Sequence, residues 1–246
     1  MKNLITLVFL CLSLALSAQL TSGKIVFEET VDLHAKLPPQ AQQFKDMIPQ
    51  YKTQKTQLLF TPELSKYSVI HEEEEAKTRT GDGIRIEMRG MKDNSETVHD
   101  ISNNSTLEFK EFMGRTFLIE DEGMKNLVWK IGMGQREILG YVCQEAVYYG
   151  KEDTLLAWFS PQIPVSTGPR GYGKLPGMIL AMESMDGFLS VEAKEIHQET
   201  PDKSAMKISG SGKKMTREEF DQVVEEKKKE MMEANGGGGM VIKMRR

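Results

Sequence analysis

From Gly168 to Lys174 the chain reads Gly-Pro-Arg-Gly-Tyr-Gly-Lys, which has the glycine and lysine spacing of a phosphate-binding loop. Such a loop needs a Ser or Thr after the lysine to reach Mg²⁺, and a helix whose N-terminus faces the phosphates. Leu175 stands where the hydroxyl should be, and Pro176 and Gly177 follow where the helix should begin. No parallel βαβ pattern surrounds the segment, so the spacing carries no nucleotide site. The four histidines, His34, His71, His99 and His197, lie far apart and share no ligand spacing. Ser209 to Gly212 offers flexibility without a nucleophile elbow. The acidic run Glu72 to Glu75 lacks the spaced oxygens and the glycine of a calcium loop. No pair of carboxylates is singled out for glycosidic cleavage. These readings assign no catalytic, cofactor-binding or metal-binding residue. Met178, Met182 and Met185 cluster after the glycine-rich stretch, and the chain holds 16 methionines. They read first as core filling and second as a deformable apolar surface.

The ends and the composition bound the setting of these residues. Lys2 is the one charge before an apolar run from Leu4 to Leu16, and the small residues Ser17 and Ala18 precede Gln19. That is the pattern of a signal peptide cut after Ala18, and the run is too short to span a bilayer. Cys11 follows Leu10, which is too large for a lipidation site, so the exported chain is expected to be periplasmic or secreted and not lipid-anchored. Removing 18 of 246 residues leaves 228, with 31 basic and 36 acidic side chains. That acidic balance argues against a nucleic-acid partner. Cys143 then has no partner for an intramolecular disulfide and reads as a small buried hydrophobe. No second long apolar run appears, so no transmembrane segment is expected after the leader.

Positioning elements come from the periodicity. In Gly23 to Leu33 the residues Ile25, Phe27, Val31 and Leu33 fall on one face, with Glu28, Thr30 and Asp32 on the other, as in a half-buried strand. A short helical or irregular segment, Gln40 to Ile48, is bracketed by Pro39 and Pro49. Gln54 to Phe60 and Lys66 to Glu72 form a hairpin about Pro62. Arg85, Glu87 and Arg89 alternate with Ile84, Ile86 and Met88 in the cleanest period-two run. Further strands are predicted around Thr97 to Ile101, Leu107 to Glu111, Arg115 to Glu120, Trp129 to Ile131, Arg136 to Leu139, Cys143 to Tyr149, Leu155 to Ser160 and Phe188 to Ile196. Strands this closely spaced, without helices between them, imply antiparallel pairing. The fold class is mainly β: one curved antiparallel sheet or half-barrel of about ten strands over residues 19–212. Residues 213–246 carry a helix from Arg217 to Ala234 opened by the capping box Thr216 and Glu219, a flexible Gly236 to Gly239 spacer, and an edge strand Met240 to Met244.

The stretch Trp158-Phe-Ser-Pro-Gln-Ile-Pro164, followed by Gly168, Pro169, Gly171, Gly173 and then Lys174-Leu-Pro-Gly-Met-Ile179, resembles the GLPGLI family of exported proteins of Bacteroidota-type bacteria. Phe112 to Asp121, Trp129 to Ile131 and Ile138 to Ala146 are similar as well. Lys174 and Met178 depart from the name-giving hexapeptide, while Leu175, Pro176, Gly177 and Ile179 keep it. The resemblance implies export and no settled activity. It also marks Trp158, Gly173, Leu175, Pro176, Gly177, Met178 and Ile179 as a family turn that contacts a ligand or partner. Pro176 and Gly177 should place Leu175 to Met178 in a type II turn.

Two functional expectations follow. The first is a monomeric binding or carrier module whose concave face holds an apolar ligand or lipid moiety under a loop at Gly168 to Gly177. The second is a structural or assembly partner of envelope proteins, docking through the C-terminal helix and tail. A hydrolytic enzyme is the third reading.

Overall fold

The computed structural model of the chain describes residues 19–37, 39–71, 93–122, 127–150 and 153–234. The leader, the acidic run at Glu72, the alternating run at Arg85 and the tail from Gly236 lie outside the described residues.

Twelve strands form one open sheet: β1 (Gly23–Asp32), β2 (Tyr51–Phe60), β3 (Leu64–Val69), β4 (Glu96–Asp100), β5 (Ser105–Phe112), β6 (Arg115–Asp121), β7 (Trp129–Ile138), β8 (Tyr141–Tyr149), β9 (Thr154–Ser160), β10 (Met178–Ser184), β11 (Leu189–His197) and β12 (Lys213–Thr216). Their spatial order is β12-β6-β5-β4-β3-β2-β1-β11-β10-β9-β8-β7. Two meanders thus flank the central strand β1. One helix, α1 (Arg217–Ala234), follows β12, and a 3-10 segment, Pro39–Met47, links β1 to β2.

The mainly β reading stands, with three corrections to the strand set. β10 has the sequence Met-Ile-Leu-Ala-Met-Glu-Ser and is buried at every position but Glu183. A strand covered on both faces shows no alternation, which is why the period-two test passes over it. The two runs at Trp129 and Arg136 are one strand, β7, whose register against β8 shifts between Ile131 and Gln135. Gly132 and Gly134 lie in that bulge against the Glu145 side chain and make room for it. Finally, β12 pairs with β6 in parallel, Met215 opposite Ile119, so the sheet is not wholly antiparallel.

Local chemistry explains the connections. Met113 and Gly114, and again Leu139 and Gly140, both have positive φ, the two-residue geometry that matches strand twist in tight hairpins. The capping box at α1 closes as its sequence implies. Thr216 Oγ1 accepts the Glu219 N–H at 3.2 Å, and Glu219 Oε2 accepts the Thr216 N–H at 2.8 Å. Phe220 then packs with Phe117, Ile119 and Met215, while Val223 and Val224 are half-buried beside them. Lys227 interrupts that stripe.

The main core lies on one face of the sheet, with Ile25 and Phe27 of β1, Leu58 and Phe60 of β2, Ala157 and Phe159 of β9 and Ile179 of β10. Residues 161–177 cross this face as an irregular strap. Its Gly173 carbonyl accepts the Trp129 indole N–H from β7 at 2.8 Å, and a Cβ on the same glycine would stand 2.9 Å from His99 Cε1 of β4. Strands β4 and β7 are eight places apart in the sheet order. In a flat sheet eight spacings span about 38 Å. The sheet therefore curls around the strap, which occupies its concave side.

Candidate functional site

Seen from β1, period two puts positions 25, 27, 29 and 31 on the concave face, so Glu29 falls among Ile25, Phe27 and Val31. Its carboxylate is 2% exposed. Burying a charge there requires partners, and the strap supplies the principal one. Arg170 Nη2 donates to Glu29 Oε1 at 2.6 Å and Arg170 Nε to Oε2 at 3.0 Å, a two-point clamp. From β2, Gln54 Nε2 donates to Oε1 at 3.0 Å, and from β3 the Tyr67 hydroxyl donates to Oε2 at 2.8 Å. Thr56 Oγ1 in turn donates to the Tyr67 oxygen at 2.7 Å. Burial works against ionisation of Glu29, but Arg170 and the Tyr67 and Gln54 donors overcome it and hold the carboxyl below its usual range. The Tyr67 phenol is driven well above its ordinary value by burial and then by the Glu29 charge. Arg170 remains charged, its pKa raised by Glu29 in spite of burial.

A second polar cluster sits one step along the same face. Thr167 Oγ1 lies 2.6 Å from Ser65 Oγ and 3.2 Å from His99 Nδ1, and all three side chains are buried. Among the described residues His99 Nε2 finds no hydrogen-bond partner. Burial pushes this imidazole down to about 4, with Asp100 opposing, so it is neutral at ordinary pH. A hydroxyl beside an imidazole can act as nucleophile and base, yet here both are sealed under the strap. Their chemistry is to satisfy each other across the strap and the sheet.

The backbone of the strap is stitched to β10. Met178 N–H donates to Ile163 O at 3.0 Å and Ile179 N–H to Thr167 O at 2.9 Å. That diverts Met178 N–H from Leu175, so the expected type II turn does not form; instead Gly177 N–H closes on Leu175 O at 2.8 Å. Gly177 has φ 156°, and a Cβ there would run into the Ser160 carbonyl. Lys174, where the hexapeptide has glycine, takes φ 65°.

Of the residues marked from the family turn, Leu175, Met178 and Ile179 are buried in the core cluster. Gly173 and Gly177 are buried, Pro176 is exposed and Trp158 is half-buried. Trp158 stands apart from the clamp, with the Arg136 guanidinium 4.8 Å from its ring centroid. Gly173, Leu175, Gly177, Met178 and Ile179 meet the protein's own interior, while Pro176 faces outward. The face expected to hold an apolar ligand is filled by the strap. Sequence reasoning passed over Glu29 and Tyr67, weighed His99 only as a metal ligand and met Arg170 only within a rejected phosphate loop; a carboxylate in step with three apolar residues was the available signal for Glu29.

The opposite face carries a groove of about 560 Å³. Its floor is a cross-strand row running Gln57, Ser68, Glu96, Phe109 through β2 to β5. One wall is the segment around Ser209 and Gly210, which is clipped to the sheet. Lys66 Nζ lies 3.1 Å from Glu96 Oε1 and donates to Lys207 O at 2.7 Å. Ser209 N–H donates to Glu96 Oε2 at 2.7 Å, and its hydroxyl donates to Oε1. Burial tends to raise the Glu96 carboxyl, but the Ser209 and Lys66 bonds bring it below its ordinary value.

Comparisons with known proteins agree with this picture at the level of fold. The model of a family described as "Protein of unknown function (Porph_ging)" matches residues 148–181, which hold the end of β8, β9, the strap and the start of β10. No curated protein matches the chain. Two solved structures of PNGF-II are similar: the C2 crystal form at TM-score 0.54 and 13% identity, and the P21 form at 0.55 and 14%. They cover 82% and 83% of this chain but 32% and 33% of the PNGF-II chain. The chain thus spans about a third of the protein whose fold it shares. Among the described residues no group of three or more metal-ligating side chains occurs, and no helix is long and apolar enough to cross a membrane.

Proposed function

We propose that the protein is an exported envelope binding module whose ligand surface is the outer-face groove and whose concave interior is a sealed core. Export rests on the leader pattern at residues 1–18 and on the resemblance to GLPGLI proteins carried by Leu175, Pro176, Gly177 and Ile179. The observation that carries the binding reading is the contrast between faces: the inner one is closed by the strap, and the outer one keeps a groove with a pinned wall. A fold that makes up about a third of a larger chain, as in PNGF-II, also suits a module that serves a function by binding. Expression of the full chain in a Gram-negative host, followed by fractionation and mass analysis, tests the export half. The expected product is an envelope or medium species beginning at Gln19; an intact chain retained in the cytoplasm overturns it.

A second reading, assembly with other envelope proteins, is favoured by the sheet edge at β7. Among the described residues that strand pairs on one side only, with β8, and exposes Ile131 (48%) and Met133 (96%), with Val128 and Val142 exposed beside them. Unpaired edges with apolar side chains recruit further strands. Ile131→Lys combined with Met133→Lys should then release a co-purifying protein while thermal stability is unchanged. Retention of that protein by the double variant counts against assembly through this edge.

A further inference from the structure

We propose that the exported chain is closed at its N-terminus by a lactam: Gln19, once freed by cleavage after Ala18, cyclises to pyroglutamate. This modification rests on the export reading of residues 1–18 and goes beyond it. Cleavage at that bond leaves a glutamine whose own side-chain amide lies at five-ring distance from its free α-amine. An α-amine ordinarily titrates at about 7.7–8.0, so near neutral pH part of it is unprotonated and nucleophilic. Its lone pair attacks Cδ. The N–Cδ bond forms, the Cδ–Nε2 bond breaks, and Nε2 departs as ammonia with the proton that the amine gives up. No oxidant, reductant or second substrate enters.

The fold accommodates the ring on one side of this terminus and gives it a purpose on the other. Gln19 is exposed and belongs to no strand or helix, so ring closure there disturbs no ladder of the sheet. Leu20, the next residue, is 9% exposed and packs in the main core cluster. Thr21 is exposed again, and β1 begins at Gly23, where a Cβ would stand 2.5 Å from the His197 carbonyl oxygen. The chain is thus held tightly from Gly23 onward, and its end stands at the surface one residue from a buried side chain. An exopeptidase that removes residues singly from a free amine would reach that core leucine at its second step. The lactam takes away the charged, basic nitrogen that such an enzyme recognises. It therefore protects Leu20, and through Leu20 the entry of β1 into the core.

Mass analysis of the full chain recovered from its native host tests the assignment, with free amines blocked by isotopic methylation at the moment of lysis. The expected species begins at residue 19, is lighter by one ammonia than a chain with an open Gln19, and carries no label at its N-terminus. Aminopeptidase should release nothing from it until pyroglutamate aminopeptidase has removed residue 19; Leu20 should then be lost and the melting temperature fall. Gln19→Ala, a change at an exposed position, should keep the same cut and the same fold, take the label at its N-terminus, and lose Leu20 to aminopeptidase directly. A wild-type chain that begins at Gln19 with a labelled amine overturns the lactam and leaves export standing, as does a cut at any other bond. A retained leader overturns both. A lactam whose chain resists aminopeptidase no better than Gln19→Ala overturns its protective role.

Discussion

Two elements cover the concave side of the sheet, the strap at residues 161–177 and helix α1, and they are held by the same device in different company. Each carries an arginine that reaches a buried carboxylate on the sheet. Arg170 clamps Glu29 at the central strand, and Arg217 meets Glu108 of β5 and, at 3.3 Å, Asp121 of β6 near the edge. The helix satisfies its own backbone and adds a small aromatic cluster in which Phe220 meets Phe112 and Phe117 edge-on. The strap has no such ladder. It makes a few short-range turns of its own and takes its other hydrogen bonds from β10, from Trp129 and from Ser65 and His99. An irregular element placed at the centre of a core must be tied by side chains at nearly every polar group, whereas a helix at the edge needs one tie and an apolar stripe.

The largest expected effect is at the central clamp. Arg170→Ala leaves Glu29 charged and buried, and should cost about 3–5 kcal/mol in urea unfolding. Pairing it with Glu29→Met should recover a large part of that loss, because no unpaired charge then remains. A cost below about 1 kcal/mol for the single variant would erase the contrast with the helix.

Next in size is a pH effect confined to the strap. The folded imidazole of His99 titrates near 4 and an unfolded histidine near 6.5, so between those values the unfolded chain holds the extra proton. Stability is therefore complete above about pH 6.5 and declines as pH falls toward 4, by about 3 kcal/mol in all. Denaturation midpoints followed across that window should slope for the wild type, and His99→Asn should flatten its share of the slope. An equal slope in the variant would remove His99 from the account.

Arg217→Ala should cost less, about 2 kcal/mol, since Lys110 stays 3.3 Å from Glu108 and the edge admits water. Hydrogen exchange should show α1 opening while β1 and β10 stay protected. Loss of protection in both places would mean the two covers are one cooperative unit. The smallest change is a gain: Lys174→Gly relieves a left-handed backbone and should raise the melting temperature slightly, by up to about 1 kcal/mol of stability. A lower melting temperature would show that the Lys174 side chain matters more than its φ.

What could be read early follows the same division. Helix α1 was legible to the residue at Arg217 and Ala234 because a capping box and an apolar stripe are local signals. The hairpin at Pro62 was legible for the same reason. β10 was not, since burial on both faces erases alternation, nor was the parallel β12, which has four residues and no pattern of its own. The strap was legible as a motif but not as a structure. Its glycines and Arg170 suggested a phosphate loop to be rejected, and only the register of β1 with β2 and β3 gives that arginine a carboxylate, a tyrosine and a glutamine to meet.

The sequence by itself determined the β class, the terminal helix and the burial of Cys143, because each depends on neighbours within a few positions. Tertiary structure alone decided that the sheet curls until β4 and β7 share Gly173, that the marked turn points inward, and that the open groove is on the other face. Those outcomes join residues more than a hundred positions apart, such as Glu29 with Arg170 and Glu96 with Ser209. Such pairings arise when strands settle into register, and no local periodicity encodes a distance across a curved sheet.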